Sequence, residues 1–93
     1  MLIGVCEISL YLPNSHSLKD KRSILISYQN YLRKKYNISI SEIDQRNLWK
    51  KSTIGIVSIN GNRMVIDRLF EKIKKDTENQ ADIQLIDYTV SIN

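Results

Sequence analysis

The residues of this chain best suited to chemistry are cations crowded into one short stretch. Between Asn14 and Arg22 the sequence reads Asn-Ser-His-Ser-Leu-Lys-Asp-Lys-Arg, which sets His16, Lys19, Lys21 and Arg22 where a helical pattern opens. Ser17 suits the cap of that helix, with Asp20 three residues on as a weak capping box. A helix N-terminus carries partial positive charge, so each cation there is disfavoured by roughly 0.3–1 kcal/mol. None of Lys19, Lys21 and Arg22 has an acidic residue three or four positions away to offset that cost. The arrangement suits an anion, and a phosphate above all. First-turn N–H groups would point at it, and Arg22 would grip it with two parallel hydrogen bonds. Lys19 and Arg22 are neighbours on one helix face while Lys21 lies well around, so two of the three share a site. The competing reading is that Glu42 or Asp44, distant in sequence, folds back to neutralise one of them.

A second candidate is Trp49, the one tryptophan, followed directly by Lys50 and Lys51. An exposed indole beside two ammonium groups offers a stacking face for a base next to phosphate contacts. The alternative is a tryptophan that covers one end of the core, with its lysines in water. Two further basic runs, Arg33-Lys34-Lys35 and Lys74-Lys75, fall at predicted helix C-termini, where the dipole welcomes cations.

No catalytic set emerges. The chain has one histidine and one cysteine, His16 and Cys6, with Cys6 in an apolar run. A metal site needs clustered ligands and a nucleophile needs an adjacent base, and neither pattern is present. Ser15 and Ser17 beside His16 read as caps rather than nucleophiles. Glu42 and Asp44 read as partners for cations. The three glycines are scattered, so there is no phosphate loop. The expectation is a protein without cofactor or metal, and not an enzyme.

The elements that must hold these residues follow from periodicity. Residues 2–12 alternate, with Leu2, Cys6, Ile8, Leu10 and Leu12 on one face and Ile3, Val5, Glu7, Ser9 and Tyr11 on the other; Pro13 ends the strand. From Ser17 to Tyr36, Leu18, Leu25, Tyr28 and Leu32 recur at helical spacing, and Asn37 suits a left-handed cap. Ile38 and Ile40 alternate but Ile43 is out of phase, which predicts a bulge near Ser41–Glu42. Residues 53–60 are β-branched and read as a central strand. Asn60-Gly61-Asn62 turns into a second helix carrying Val65, Ile66, Leu69, Phe70 and Ile73. Residues 83–92 form a last strand whose apolar phase switches midway, between Leu85 and Ile86. The order strand, helix, strand, strand, helix, strand predicts an α+β ferredoxin-like βαββαβ domain over residues 1–93: a four-stranded antiparallel sheet with both helices on one face.

That arrangement leaves one sheet face open. RNA-recognition domains of this topology put aromatics on their central strands, and here those strands offer only Tyr11 near an end. Ile3, Val5, Val57 and Ile59 would instead form an exposed apolar patch, which predicts a homodimer interface.

Composition narrows the setting. A chain of 93 residues buries roughly 60–65% of its unfolded surface, an adequate but thin core. A lone cysteine fits a reducing compartment. No leader and no bilayer-spanning run is evident, so a soluble cytoplasmic protein is expected, with no membrane partner. The net charge of +4 belongs to the first half: residues 1–51 hold nine Lys/Arg against four Asp/Glu. That asymmetry points to a polyanionic partner.

Several segments together resemble a known family: Gly4-Val5, His16-Ser17-Leu18-Lys19-Asp20-Lys21-Arg22, Asn37 to Asp44, and Leu48-Trp49. They are similar to the YlxP-like family of small bacterial proteins of unassigned function, over almost the whole chain. The Ser-Leu-Lys-x-Lys-Arg segment is the most specific part. The resemblance implies the ferredoxin-like fold and a bacterial cytoplasmic protein. Genes of such proteins often lie among those for translation initiation and ribosome maturation, which implies an RNA or ribosome connection. It implies no catalytic residues. Lys50-Lys51-Ser52 departs from the family pattern and makes this chain more basic there. The expectation is an RNA- or ribosome-associated accessory protein; the alternative is a homodimeric interaction or regulatory module without nucleic acid.

Overall fold

A computed structural model describes all residues from Met1 to Asn93. The element order is β1 (Leu2–Tyr11), α1 (Leu18–Lys35), β2 (Ser39–Asp44), β3 (Lys51–Asn60), α2 (Arg63–Glu78) and β4 (Gln84–Ile92). The strands form one sheet in the order β2-β3-β1-β4, and every pair is antiparallel. This is the ferredoxin-like α+β arrangement that the alternation of periods predicts. Neither helix is long and apolar enough to cross a membrane.

Burial follows the strand alternation. Cys6, Ile8 and Leu10 of β1 and Ile54 and Ile56 of β3 are fully enclosed. Leu25, Tyr28 and Leu32 of α1 and Ile66, Phe70 and Ile73 of α2 join them in one core cluster. Gly4 belongs to this face, where α2 crosses closely enough that an added Cβ would overlap the side chains of Ile66 and Phe70. Glycine is required there for close approach, not for backbone conformation. The helices are also tied to each other. The Tyr28 hydroxyl pairs with that of Thr77 at 2.7 Å inside the core, and Asp76 receives Lys35 and the Tyr36 hydroxyl at the rim.

Ser17 caps α1 by accepting from the Asp20 N–H at 3.0 Å, as the spacing predicts. The helix ends differently from expectation. Tyr36 is the cap with an extended backbone, and Gln45 is the only non-glycine residue at positive φ, so Asn37 makes no left-handed turn.

Both irregular strands bulge. In β4 the register against β1 shifts so that Ser9 faces Asp87 and Leu10 faces Leu85; Ile86 is the extra residue and lies exposed. This is the phase switch visible in the sequence. In β2 the shift falls between Glu42 and Asp44, at Ile43, rather than at Ser41–Glu42. The displacement has a chemical result. Glu42 stays in phase with Ile40 on the helix-facing side, while Ile43 swings to the open face and covers Gly55.

Candidate functional site

Glu42 therefore points its carboxylate beneath α1, where it meets Lys21. The Lys21 ammonium lies 2.8 Å from Glu42 Oε2, and its side chain is only 3% exposed. It also donates to the Gln45 carbonyl at 2.6 Å and reaches the Arg46 carbonyl at 3.5 Å. The same Glu42 oxygen accepts from the buried Ser52 hydroxyl at 2.7 Å. A buried ammonium is tolerable only when paired and hydrogen-bonded, and all of its donors are aimed at acceptors here. Three backbone and side-chain devices hold that turn: Gln45 takes φ 61°, its N–H donates to Asp44, and its side-chain carbonyl accepts from Thr53.

The sequence reading grouped Lys21 with the anion-binding cations. Geometry places it elsewhere: it is a structural clamp on the β2–β3 turn, consumed by Glu42 and two carbonyls. The fold-back pairing weighed as the alternative is realised at this one residue. Lys19 and Arg22 are exposed and take part in no ion pair; the chain's two ion pairs are Lys21–Glu42 and Lys35–Asp76.

The helix terminus itself is partly answered from within. Asp20 accepts from the His16 backbone N–H at 2.9 Å while its own N–H goes to Ser17. A carboxylate thus stands in the first turn, where the dipole favours negative charge. His16 is exposed and contributes through its backbone, not its ring. The Asp20 N–H of the first turn is thereby occupied, and the Lys19 and Arg22 side chains stand exposed beside it.

Beside Arg22 the surface sinks into a groove of about 360 Å³ between α1 and the β2–β3 turn, lined by Leu18, Arg22, Ile26, Gln29, Glu42 and Arg46 among others. Arg46 was not singled out by the sequence, because it lies in a polar stretch with no periodicity. Its side chain is exposed and takes part in neither ion pair, and it lines the groove together with Arg22.

Trp49 is 55% exposed and Leu48 48%, forming a shallow apolar surface with Asn47, Lys50 and Lys51. The indole is not a lid on the core. The two lysines separate: Lys50 donates to the Pro13 carbonyl at 2.8 Å and fastens the β1–α1 loop, whereas Lys51 is exposed opposite Tyr11. Strand pairing brings β1's end, the start of α1, the β2–β3 turn and the start of β3 to one end of the molecule. Lys19, Arg22, Arg46 and Lys51, four of the chain's exposed cations outside the ion pairs, belong to these elements.

The open sheet face carries the expected patch. Ile3 pairs with Ile59 and Val5 with Val57 across β1 and β3. Ile59 is 60% exposed, Ile3 and Val57 are exposed, and Val5 is half-buried. Ile43 joins the same face through its bulge. No cluster of three or more His, Cys, Asp or Glu able to hold a metal is present.

Cys6 is buried, and burial together with the nearby Glu7 carboxylate pushes its thiol up to about 12. It is a core residue without nucleophilic character.

The chain is 28% identical over 72 residues to the uncharacterized protein YlxP of Bacillus subtilis (strain 168), an alignment spanning 77% of this chain and 78% of that protein. The sequence pattern of the family described as "Protein of unknown function (DUF503)" matches residues 3–90, and the chain belongs to that family.

Proposed function

We propose that the protein is an RNA- or ribosome-associated accessory factor that contacts phosphates through Lys19 and Arg22 at the start of α1, joined by Arg46 and Lys51. The observation that carries this reading is the separation of roles among the basic residues. Lys21, Lys35 and Lys50 are engaged with the protein's own oxygens, while these four are exposed cations outside either ion pair, on elements that meet at one end. Lone exposed cations with a half-exposed indole nearby suit a flexible polyanion whose bases can stack. Lys21 and Lys50 act in this reading by holding the loops that present the others.

The direct test is binding of a labelled single-stranded RNA by fluorescence anisotropy. Replacing Lys19 and Arg22 by Ala should weaken binding by about tenfold or more while leaving circular dichroism unchanged. Unchanged affinity in that double variant removes these residues from the contact. Crosslinking in cells should recover ribosomal RNA with the tagged protein.

A second reading, favoured by the cross-strand pairs Ile3–Ile59 and Val5–Val57, is a homodimer formed through the open sheet. Such apolar patches on a small protein mark interfaces. Sedimentation should then show a dimer, which Ile59→Lys converts to a monomer. A dimer with no RNA affinity at physiological salt would favour a purely protein-interaction role.

A further inference from the structure

The groove beside α1 has a composition that a general phosphate-contacting surface does not need. Its walls come from two elements far apart in sequence, the first turns of α1 and the β2–β3 turn, and each contributes an arginine without a carboxylate partner, Arg22 and Arg46. Leu18 and Ile26, both exposed, stand about one helical turn to either side of Arg22. Glu42 also lines it, and its two oxygens are in unequal states. Oε2 accepts from both Lys21 and Ser52, whereas Oε1 has no protein partner and the side chain is 19% exposed. Lys21 neutralises the carboxylate from beneath, so the free oxygen offers an acceptor in the groove without opposing an anion held by the arginines.

We infer that this groove is a binding site for a nucleoside phosphate: the phosphate between Arg22 and Arg46, the base against Ile26 one turn along α1, and a base N–H donated to Glu42 Oε1. Planar guanidinium groups match phosphate oxygens in pairs. The neutralised carboxylate matches a base edge, since every nucleobase presents at least one N–H donor there. A space of about 360 Å³ lies at the lower end of the range for small-ligand sites and suits one nucleotide. The inference rests on the proposed RNA role only for the ligand's source, which is either a free nucleotide or an unpaired residue within an RNA strand.

The test is a titration of the whole protein, followed by backbone amide NMR, with the four nucleoside 5′-monophosphates and with ribose 5-phosphate as the base-less control. Nucleotides should shift the amides of Arg22, Ile26, Arg46 and Asn47 in a saturable way, and ribose 5-phosphate should bind at least about fivefold more weakly because it forgoes the base contacts. Arg46→Ala should weaken nucleotide binding about tenfold, the loss of one charge-assisted contact. The Arg46 side chain makes no bond within the protein, so this variant does not put folding at risk. Equal binding of ribose 5-phosphate, shifts confined to Trp49 and its neighbours, or an unaffected Arg46→Ala variant would each overturn the inference. The RNA arm separates the two claims. If RNA binding depends on Lys19 and Arg22 and no nucleotide enters the groove, this inference fails while the RNA role stands. If nucleotides bind in the groove but RNA does not bind, the inference holds for a free nucleotide and the RNA role fails.

Discussion

Replacing Lys21 by Met keeps the length and apolar stem of the side chain and removes only its charge and donors. Three acceptors then lose their partner: Glu42 Oε2 and the carbonyls of Gln45 and Arg46. Breaking a buried ion pair from one side costs about 3–5 kcal/mol, because the remaining charge is left uncompensated. Two features reduce that figure here. The Glu42 side chain is 19% exposed, and it retains the Ser52 hydroxyl as a donor. An expectation of about 2–4 kcal/mol follows. For a domain of this size each kcal/mol lowers Tm by roughly 5 °C, so Lys21→Met should melt about 10–20 °C below the wild type. Chemical denaturation should be followed by far-UV circular dichroism, because Trp49 is half in water already and its fluorescence reports folding poorly. The double variant Lys21→Met/Glu42→Gln removes the stranded charge and should recover part of the loss, giving a favourable coupling in the mutant cycle. A Lys21→Met protein within about 0.5 kcal/mol of wild type, the range of ordinary surface changes, would refute the view of Lys21 as a clamp.

Other consequences can be checked alongside. Gly4→Ala puts a methyl group into Ile66 and Phe70 and should cost about 1–3 kcal/mol as overpacking, read as a lowered denaturation midpoint. Burial raises the Cys6 thiol from 9.0 and the Tyr28 hydroxyl from 10.0, both to about 12. A raised folded-state pKa gives stability that is whole below the unfolded value and lost as pH climbs through the folded one. Stability from these two groups should therefore be flat below about pH 9 and decline from there toward pH 12, as measured by urea midpoints across that window. For the same reason Cys6 should resist alkylation by a maleimide in the folded protein at neutral pH and react promptly in denaturant; equal rates would contradict its burial.

Much of the fold was legible because it rests on local periodicity. The alternation of Leu2 to Leu12, the spacing of Leu25, Tyr28 and Leu32, and the phase switch at Leu85–Ile86 each report which face meets the core, and the sheet order follows from connection rules. The site was less legible, since its decisive contact is non-local. Lys21 and Arg22 are adjacent and look alike in sequence, yet one is buried against Glu42 and the other exposed. The difference arises from where β2 bulges. Apolar phase alone argues for restoring Ile43 to the core, which sets the bulge at Ser41–Glu42. The structure bulges at Ile43 instead, because burying Glu42 satisfies Lys21 and Ser52 together, while Ile43 finds cover over Gly55. Arg46 carried no signal of its own; only the turn that Lys21 fastens brings it to the groove that Arg22 also lines. Lys50 and Lys51 likewise diverge because strand pairing carries the Pro13 carbonyl to one and not the other.

The salt dependence of RNA binding tests the central claim most directly. Each phosphate contact on single-stranded RNA contributes about 0.7 to the slope of log affinity against log salt. Lys19→Ala/Arg22→Ala/Arg46→Ala should flatten the slope by about 2 relative to wild type, with the fold intact. An identical slope in the triple variant, or no RNA binding by the wild type even at low salt, would contradict the account.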